Sequence, residues 1–140
     1  MTKLIYVDTN IYLDYFDGRR DNLRPLGEFA YQLLKRALQC EFKIILSSLV
    51  VDEIEYNSYF EKFIELRKSL QENNKCVIIV ENYADEKETR RIVKERETSF
   101  NDTKHAVLAR RAKADYLITR NIQDFIQLRD LINIALPENL

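Results

Sequence analysis

Short runs of apolar residues alternate along the chain with longer stretches in which apolar residues recur at helical spacing. Leu4-Ile5-Tyr6-Val7 is the first run, β-prone and long enough for a strand buried on both faces. Asp8-Thr9-Asn10 stops it, and Ile11-Tyr12-Leu13 with Tyr15-Phe16 predicts a helix. The polar segment from Gly18 to Pro25 predicts a loop. From Leu26 on, Phe29, Ala30, Leu33, Leu34, Ala37 and Leu38 trace one helical face. Lys43 to Leu46 predicts a second strand, with Ser47-Ser48 as a helix start behind it. One long helix is expected next, carrying Ile54, Tyr59, Phe60, Phe63, Leu66 and Leu70 on one face and ending at Asn73-Asn74.

Val77 to Val80 reads as a third strand. Ala84 to Thr98 is dense in both charges, with only Ile92 and Val93 apolar inside it, and predicts an exposed helix. A further helix starts near Asn101, and its Ala106, Ala109 and Ala112 would allow close packing. Tyr116-Leu117-Ile118 predicts a fourth strand and Leu131 to Leu136 a fifth. Short strands alternating with helices imply right-handed crossovers. The expected fold is a three-layer α/β/α sandwich around a mostly parallel sheet of about five strands, one domain over residues 1–140.

Composition narrows the class without changing this picture. The chain is 46% hydrophobic and 32% charged, which suits a globular protein and neither a disordered tail nor a membrane span. The opening apolar stretch is too short for a signal peptide. Cys40 and Cys76 stand alone, so a reducing cytoplasm is expected. A net charge of −1 does not mark a nucleic-acid binder, so any such role must rest on local charge and chemistry.

Chemistry in an open α/β sheet gathers beyond the carboxyl ends of the strands. Asp8 follows the first strand, Glu53 is placed at the opening of the helix after the second, and Asn121 and Asp124 follow the fourth. Asp102 opens the Ala-rich helix. Each alone could be a helix cap: Asp102 could close a capping box with Ser99, and Asp124 with Asn121. Together at one sheet edge, four carboxylates would repel one another, and a divalent cation removes that cost. Oxygen ligands without a Cys or His cluster point to Mg2+ or Mn2+. Gly18 and Gly27 lie in no strand-to-helix turn, which excludes glycine-rich phosphate loops, and no serine elbow is present. His105 lies on the same helical face as Asp102, where a packed, hydrogen-bonded role is favoured over a phosphate contact.

Four blocks carry a family resemblance. Leu4 to Asn10, an apolar strand ended by Asp-x-Asn, resembles the start of PIN-domain nucleases. Ser47 to Ile54, Asn101 to Ala109 and Asp115 to Phe125 are similar to that family's later blocks, in order and from Leu4 to Phe125. By this resemblance Asp8, Glu53, Asp102 and Asp124 are the catalytic and metal-binding acids. Asn121 stands where many relatives carry a further Asp, which leaves the fourth metal contact open between Asn121 and Asp124. Asn10 and Thr119 would orient carboxylates, while Asp14 and Asp52 read as peripheral.

The resemblance implies a metal-dependent endoribonuclease, very often the VapC-like toxin of a toxin–antitoxin pair, with an antitoxin partner and a homodimeric state. Arg19, Arg20 and Arg24 crowd one loop and are the candidate RNA contacts. Lys87, Arg90, Arg91, Lys94 and Arg96 interleave with acids, so intrahelical ion pairs explain them as well. The aromatics Tyr12, Tyr15, Phe16, Tyr56, Tyr59, Phe60 and Phe63 could form a dimer face or pack inward. Two other readings compete: a non-catalytic PIN module that binds protein, and a receiver-like domain in which Asp8 accepts a phosphoryl group.

Overall fold

The computed structural model describes residues 2–18 and 25–140. Its elements are β1 (Lys3–Val7), α1 (Thr9–Asp17), α2 (Leu26–Leu38), β2 (Phe42–Ser47), α3 (Ser48–Ile54) and α4 (Phe60–Glu72). They continue with β3 (Cys76–Ile79), α5 (Tyr83–Arg96), α6 (Phe100–Arg111), β4 (Tyr116–Ile118), α7 (Ile122–Phe125) and β5 (Ile134–Ala135). Short 3-10 turns occupy Ile126–Leu128 and Pro137–Asn139. The helices flank one parallel sheet of five strands in the order β3-β2-β1-β4-β5, the α/β/α arrangement expected.

Burial explains the strands. Ile5, Tyr6 and Val7 of β1, Ile44, Ile45 and Leu46 of β2, and Leu117 and Ile118 of β4 are all buried, as central strands covered on both faces require. Edge strand β3 is more open, with Val77 and Ile78 exposed. After β1 and β2 the chain builds outward to β3, then returns to the other side of β1 to lay down β4. The order therefore reverses beside β1, and the crevice beyond the carboxyl ends of β1 and β4 is where such sheets hold ligands.

Three expectations are corrected. The long helix after β2 is two helices, α3 and α4, separated by residues 55–59. Asn57 breaks it: its side-chain oxygen accepts the Tyr59 N–H at 2.9 Å, a local turn that competes with helical bonding. Glu53 consequently lies in the last turn of α3 and does not open the helix, so an N-terminal dipole role is not available to it. The fifth strand is two residues long, because residues 126–133 form a 3-10 turn and bends first.

Most of the aromatics on α1 and α4, and between α3 and α4, pack inward. Tyr12 and Phe63 are fully buried and meet edge-on, their ring centres 5.2 Å apart, and Phe16 stacks on Tyr59. Tyr56 is the exception, 94% exposed in the break between α3 and α4. On α5 the charges pair along the helix, Arg90 with Glu86 and Arg91 with both Glu88 and Glu95. No helix among the described residues is long and apolar enough to cross a membrane. Arg19, Arg20 and Arg24 lie outside the described residues.

Candidate metal centre at the carboxyl end of the sheet

Asp8 is placed by the end of β1, where its backbone N–H donates to the Ile118 carbonyl at 2.9 Å and ties it to β4. It is the N-cap of α1, and Oδ1 accepts the Thr9 N–H at 2.7 Å. Oδ2 accepts the Thr119 hydroxyl at 2.8 Å. Thr119, fully buried, in turn accepts from Asn10 Nδ2 at 3.4 Å and from the Asn121 N–H at 3.1 Å. Both oxygens of Asp8 are thus aimed by groups from two strand ends.

Glu53 reaches the same place from α3. Its Oε1 accepts the Thr9 hydroxyl at 2.6 Å and a bond from His105 Nε2 at 2.8 Å; Asn101 Nδ2 stands 3.4 Å from Oε2. His105, on α6, is buried at 2% exposure, and its Nε2 is 3.6 Å from Asp8 Oδ1. A carboxylate only accepts, so Nε2 carries a proton toward Glu53, and Nδ1 lies in hydrogen-bond contact with the Tyr6 phenol 2.7 Å away. Tyr6 also bonds Ser47 Oγ at 2.6 Å, and Ser47 caps α3 by accepting the Val50 N–H. A hydrogen-bonded chain therefore runs from the buried Ser47, Tyr6 and His105 out to Glu53 and links β2, β1, α6 and α3. One ligand atom each from Asp8, Glu53 and His105 lies within 4.8 Å of the others.

The charges in this crevice are strained. Burial pushes the Asp8 carboxyl above its usual range, and His105, Thr119 and Thr9 only partly offset that. Asp102, in the first turn of α6, is raised by burial, then by Asp124 and by Asp8, which puts these three acids within electrostatic reach of one another. Burial also raises Glu53, but the bond and charge of His105, with Thr9 and Asn101, outweigh it and leave the carboxyl low. Burial raises the Tyr6 phenol far above its normal value, so it remains a neutral donor.

Asp8 and Glu53 are brought together through Thr9 and His105, whereas Asp102, half-buried, and Asp124, exposed, stand at the rim. Asn121 is exposed, and its side chain makes no cap bond to α7, so the anticipated Asn121–Asp124 capping box is not formed. Ser99 does cap α6, through the Asp102 N–H. Asp14 is buried beside Arg120, 3.4 Å from its Nε, and Asp52 is exposed. The parts that sequence reasoning missed are Thr9, Tyr6 and Ser47; a hydroxyl directly after a strand-end Asp was the one available signal. A hard divalent cation suits this donor set, because carboxylate oxygens crowd together with no Lys or Arg pairing to Asp8, Glu53, Asp102 or Asp124 among the described residues.

The family model described as PIN domain matches residues 5–131. Among solved structures, the fold is similar to that of a toxin–antitoxin complex from Klebsiella pneumoniae, with a TM-score of 0.64 and 20% identity over 95% of this chain and 97% of that one. It is also similar to VapBC2 from Rickettsia felis bound to a DNA fragment from their promoter, with a TM-score of 0.63 and 22% identity over 95% and 98%. No curated protein matches the chain in sequence.

Proposed function

The chain belongs to the PIN-domain family, and from that premise we propose that it is a metal-dependent endoribonuclease, the toxin of a type II toxin–antitoxin pair. The observation that carries this reading is the Asp8–Glu53–His105 cluster at the switch point of the sheet, with Asp102 and Asp124 beside it and no Lys or Arg paired with these acids among the described residues. Asp8, Glu53, Asp102 and Asp124 would hold Mg2+ or Mn2+. Such an ion, when bound, acidifies a water and neutralises charge at the scissile phosphate.

The protein's own part is positional. Thr119 and the Thr9 N–H hold the two oxygens of Asp8, and Asn10 steadies Thr119. Thr9 and His105 fix Oε1 of Glu53, leaving Oε2 at the open side with Asn101. His105 is held from behind by Tyr6, so the ring acts as an orienting donor. Water attacking the phosphodiester would leave a 5′-phosphate and a 3′-hydroxyl.

RNA is the proposed substrate, with Arg19, Arg20 and Arg24, outside the described residues, as its proposed contacts. An antitoxin protein is the proposed partner; the two structural neighbours are themselves toxin–antitoxin assemblies. A homodimer in the cytoplasm completes the reading, with the exposed Tyr56 as a side chain available to an interface. A second reading, a PIN module that binds protein without catalysis, draws on the neutral Asn121 at the rim.

Incubating a mixed RNA pool with the protein, with Mn2+ or Mg2+ and with chelator, separates the two. Cleavage that needs the metal and leaves 5′-phosphate ends supports the nuclease. An intact pool across both metals overturns it and favours the protein-binding module.

A further inference from the structure

Away from the crevice, two turns meet at the opposite end of the sheet. Cys40 lies between α2 and β2, and Lys75 between α4 and β3, at the points where the parallel strands begin. Their main chains are fixed independently of the side chains. The Cys40 N–H donates to the Ala37 carbonyl at 3.1 Å, and Cys40 holds a left-handed φ of 73°. The Lys75 N–H donates to the Leu70 carbonyl at 2.7 Å, and the Lys75 carbonyl accepts from Ile44 at 2.9 Å. Between them, Lys75 Nζ stands 2.7 Å from Cys40 Sγ. That is the short end of the N–H···O range of about 2.7–3.2 Å, although sulfur is the larger atom. Cys40 is exposed and open to oxidants.

We propose that Cys40 and Lys75 form an oxidatively installed, reducible covalent S–O–N bridge. A thiol takes up oxygen first as a sulfenic acid. One hydrogen peroxide supplies that oxygen: the S–H bond is lost, an S–O bond forms, and one water leaves. The Lys75 ammonium gives a proton to solvent, and the free amine lies against the new oxygen. The second step forms the O–N bond with loss of one N–H and one O–H hydrogen, while a second peroxide takes the two electrons and becomes two waters. Two dithiol molecules, each oxidised to a disulfide, supply the four electrons and four hydrogens that reverse both oxidations and restore thiol, amine and water. A single bridging oxygen spans the existing separation, whereas a direct S–N bond would require the two turns to close further.

The bridge would join residues 40 and 75 across a segment that includes α3, Glu53 and α4. Closing a loop of that length limits the unfolded chain and raises stability, without touching the crevice at the far end of the strands. Oxidising conditions would thus tighten the scaffold that carries Glu53.

The whole protein is treated with hydrogen peroxide or with dithiol and its intact mass measured. The expected result is a gain of about 14 Da, one oxygen in and two hydrogens out, removed by dithiol. A tryptic map should join the Cys40 and Lys75 peptides and lose cleavage after Lys75. Cys40→Ser and Lys75→Arg should each abolish the gain, and Cys76→Ser should keep it. The peroxide-treated parent should melt several degrees higher than the reduced form, and the Cys40→Ser variant should not. Gains of about 16, 32 or 48 Da on Cys40 with Lys75 free would overturn the bridge. So would a loss of about 2 Da, which marks a Cys40–Cys76 disulfide or an S–N link, or a Cys40 that peroxide leaves unchanged.

Discussion

Two regions of the molecule are rich in acidic side chains, and they differ in what balances them. On α5, Glu86, Glu88 and Glu95 each meet an arginine three or four residues away, Arg96 bonds Asp130, and Arg111 bonds Asp85. In the crevice, Asp8, Glu53, Asp102 and Asp124 have hydroxyls, amides and one imidazole but no Lys or Arg partner among the described residues. Glu86, Glu88 and Glu95 are a solvated helix surface that satisfies itself locally, and the buried Asp85 has Arg111 of α6 as its partner. The crevice acids are held together by the fold against their own repulsion, with no such local partner among the described residues. Charge density alone does not mark a site; unbalanced charge does.

The largest effect expected from breaking this contrast is at Asp8. Asp8→Asn should lower metal-dependent cleavage of RNA by at least about a hundredfold, the loss expected when a ligating carboxylate goes. It should not unfold the protein, because Asn also caps a helix. Thermal melting without metal sharpens the point. Asp8 and Asp102 titrate above their ordinary value, so their contribution to stability is full below the unfolded pKa and is lost as pH rises through the raised folded values. Glu53 runs the other way: its contribution is present above its unfolded pKa and is lost as pH falls through the depressed folded value. The metal-free parent should therefore gain melting temperature as pH drops from neutral toward the raised values of Asp8 and Asp102. Asp8→Asn should flatten that gain and melt at or above the parent at neutral pH. A variant that cleaves like the parent would remove Asp8 from the site, and a collapse in melting temperature would make it a structural cap.

Thr119→Val comes next. It deletes the hydroxyl that holds Asp8 Oδ2 and that accepts from Asn10 and the Asn121 N–H, while keeping the side-chain shape. Metal affinity or activity should fall about 10- to 100-fold, as for other groups that orient ligands. Unchanged metal binding by calorimetry would show that Asp8 is aimed without it.

The rim gives a smaller, signed effect. Asn121 makes no cap bond, so Asn121→Asp adds an anion beside Asp124 without costing the helix a cap. Mn2+ affinity should rise several-fold, since hard cations prefer anionic oxygen. Asp124→Asn should lower it. Calorimetry on both variants decides which position completes the metal contacts; equal affinity in Asp124→Asn and the parent would leave Asp8, Glu53 and Asp102 to hold the ion alone.

The smallest effect belongs to α5. Arg91→Ala breaks two exposed ion pairs, and cleavage should stay at the parental rate. The shift in melting temperature should be slight and should shrink further in high salt, because exposed pairs are weak and screened. A large loss of cleavage in this variant would turn the helix into part of the RNA grip.

What the sequence by itself determined is the local order of the chain. A strand covered on both faces is apolar at nearly every position, which is why β1, β2 and β4 could be read from Leu4–Val7, Lys43–Leu46 and Tyr116–Ile118 to within a residue or two. Ion pairing on α5 was legible for the same reason, since its partners lie three or four residues apart. The acids at strand ends could be named one by one, and the order of the four blocks was enough to recognise the PIN family. Tertiary structure alone decided how they meet. His105 was read as a packed side chain, and it is packed, yet Glu53 comes from 52 positions away to bond it, because the sheet order brings α3 and α6 over the same strand ends. Asn57 ended the helix after Ser47-Ser48 early through one side-chain bond, and Glu53 lies in its last turn where its place after the second strand had suggested an opening. Periodicity reports which face of an element is buried; it carries no information about which buried faces share a neighbour.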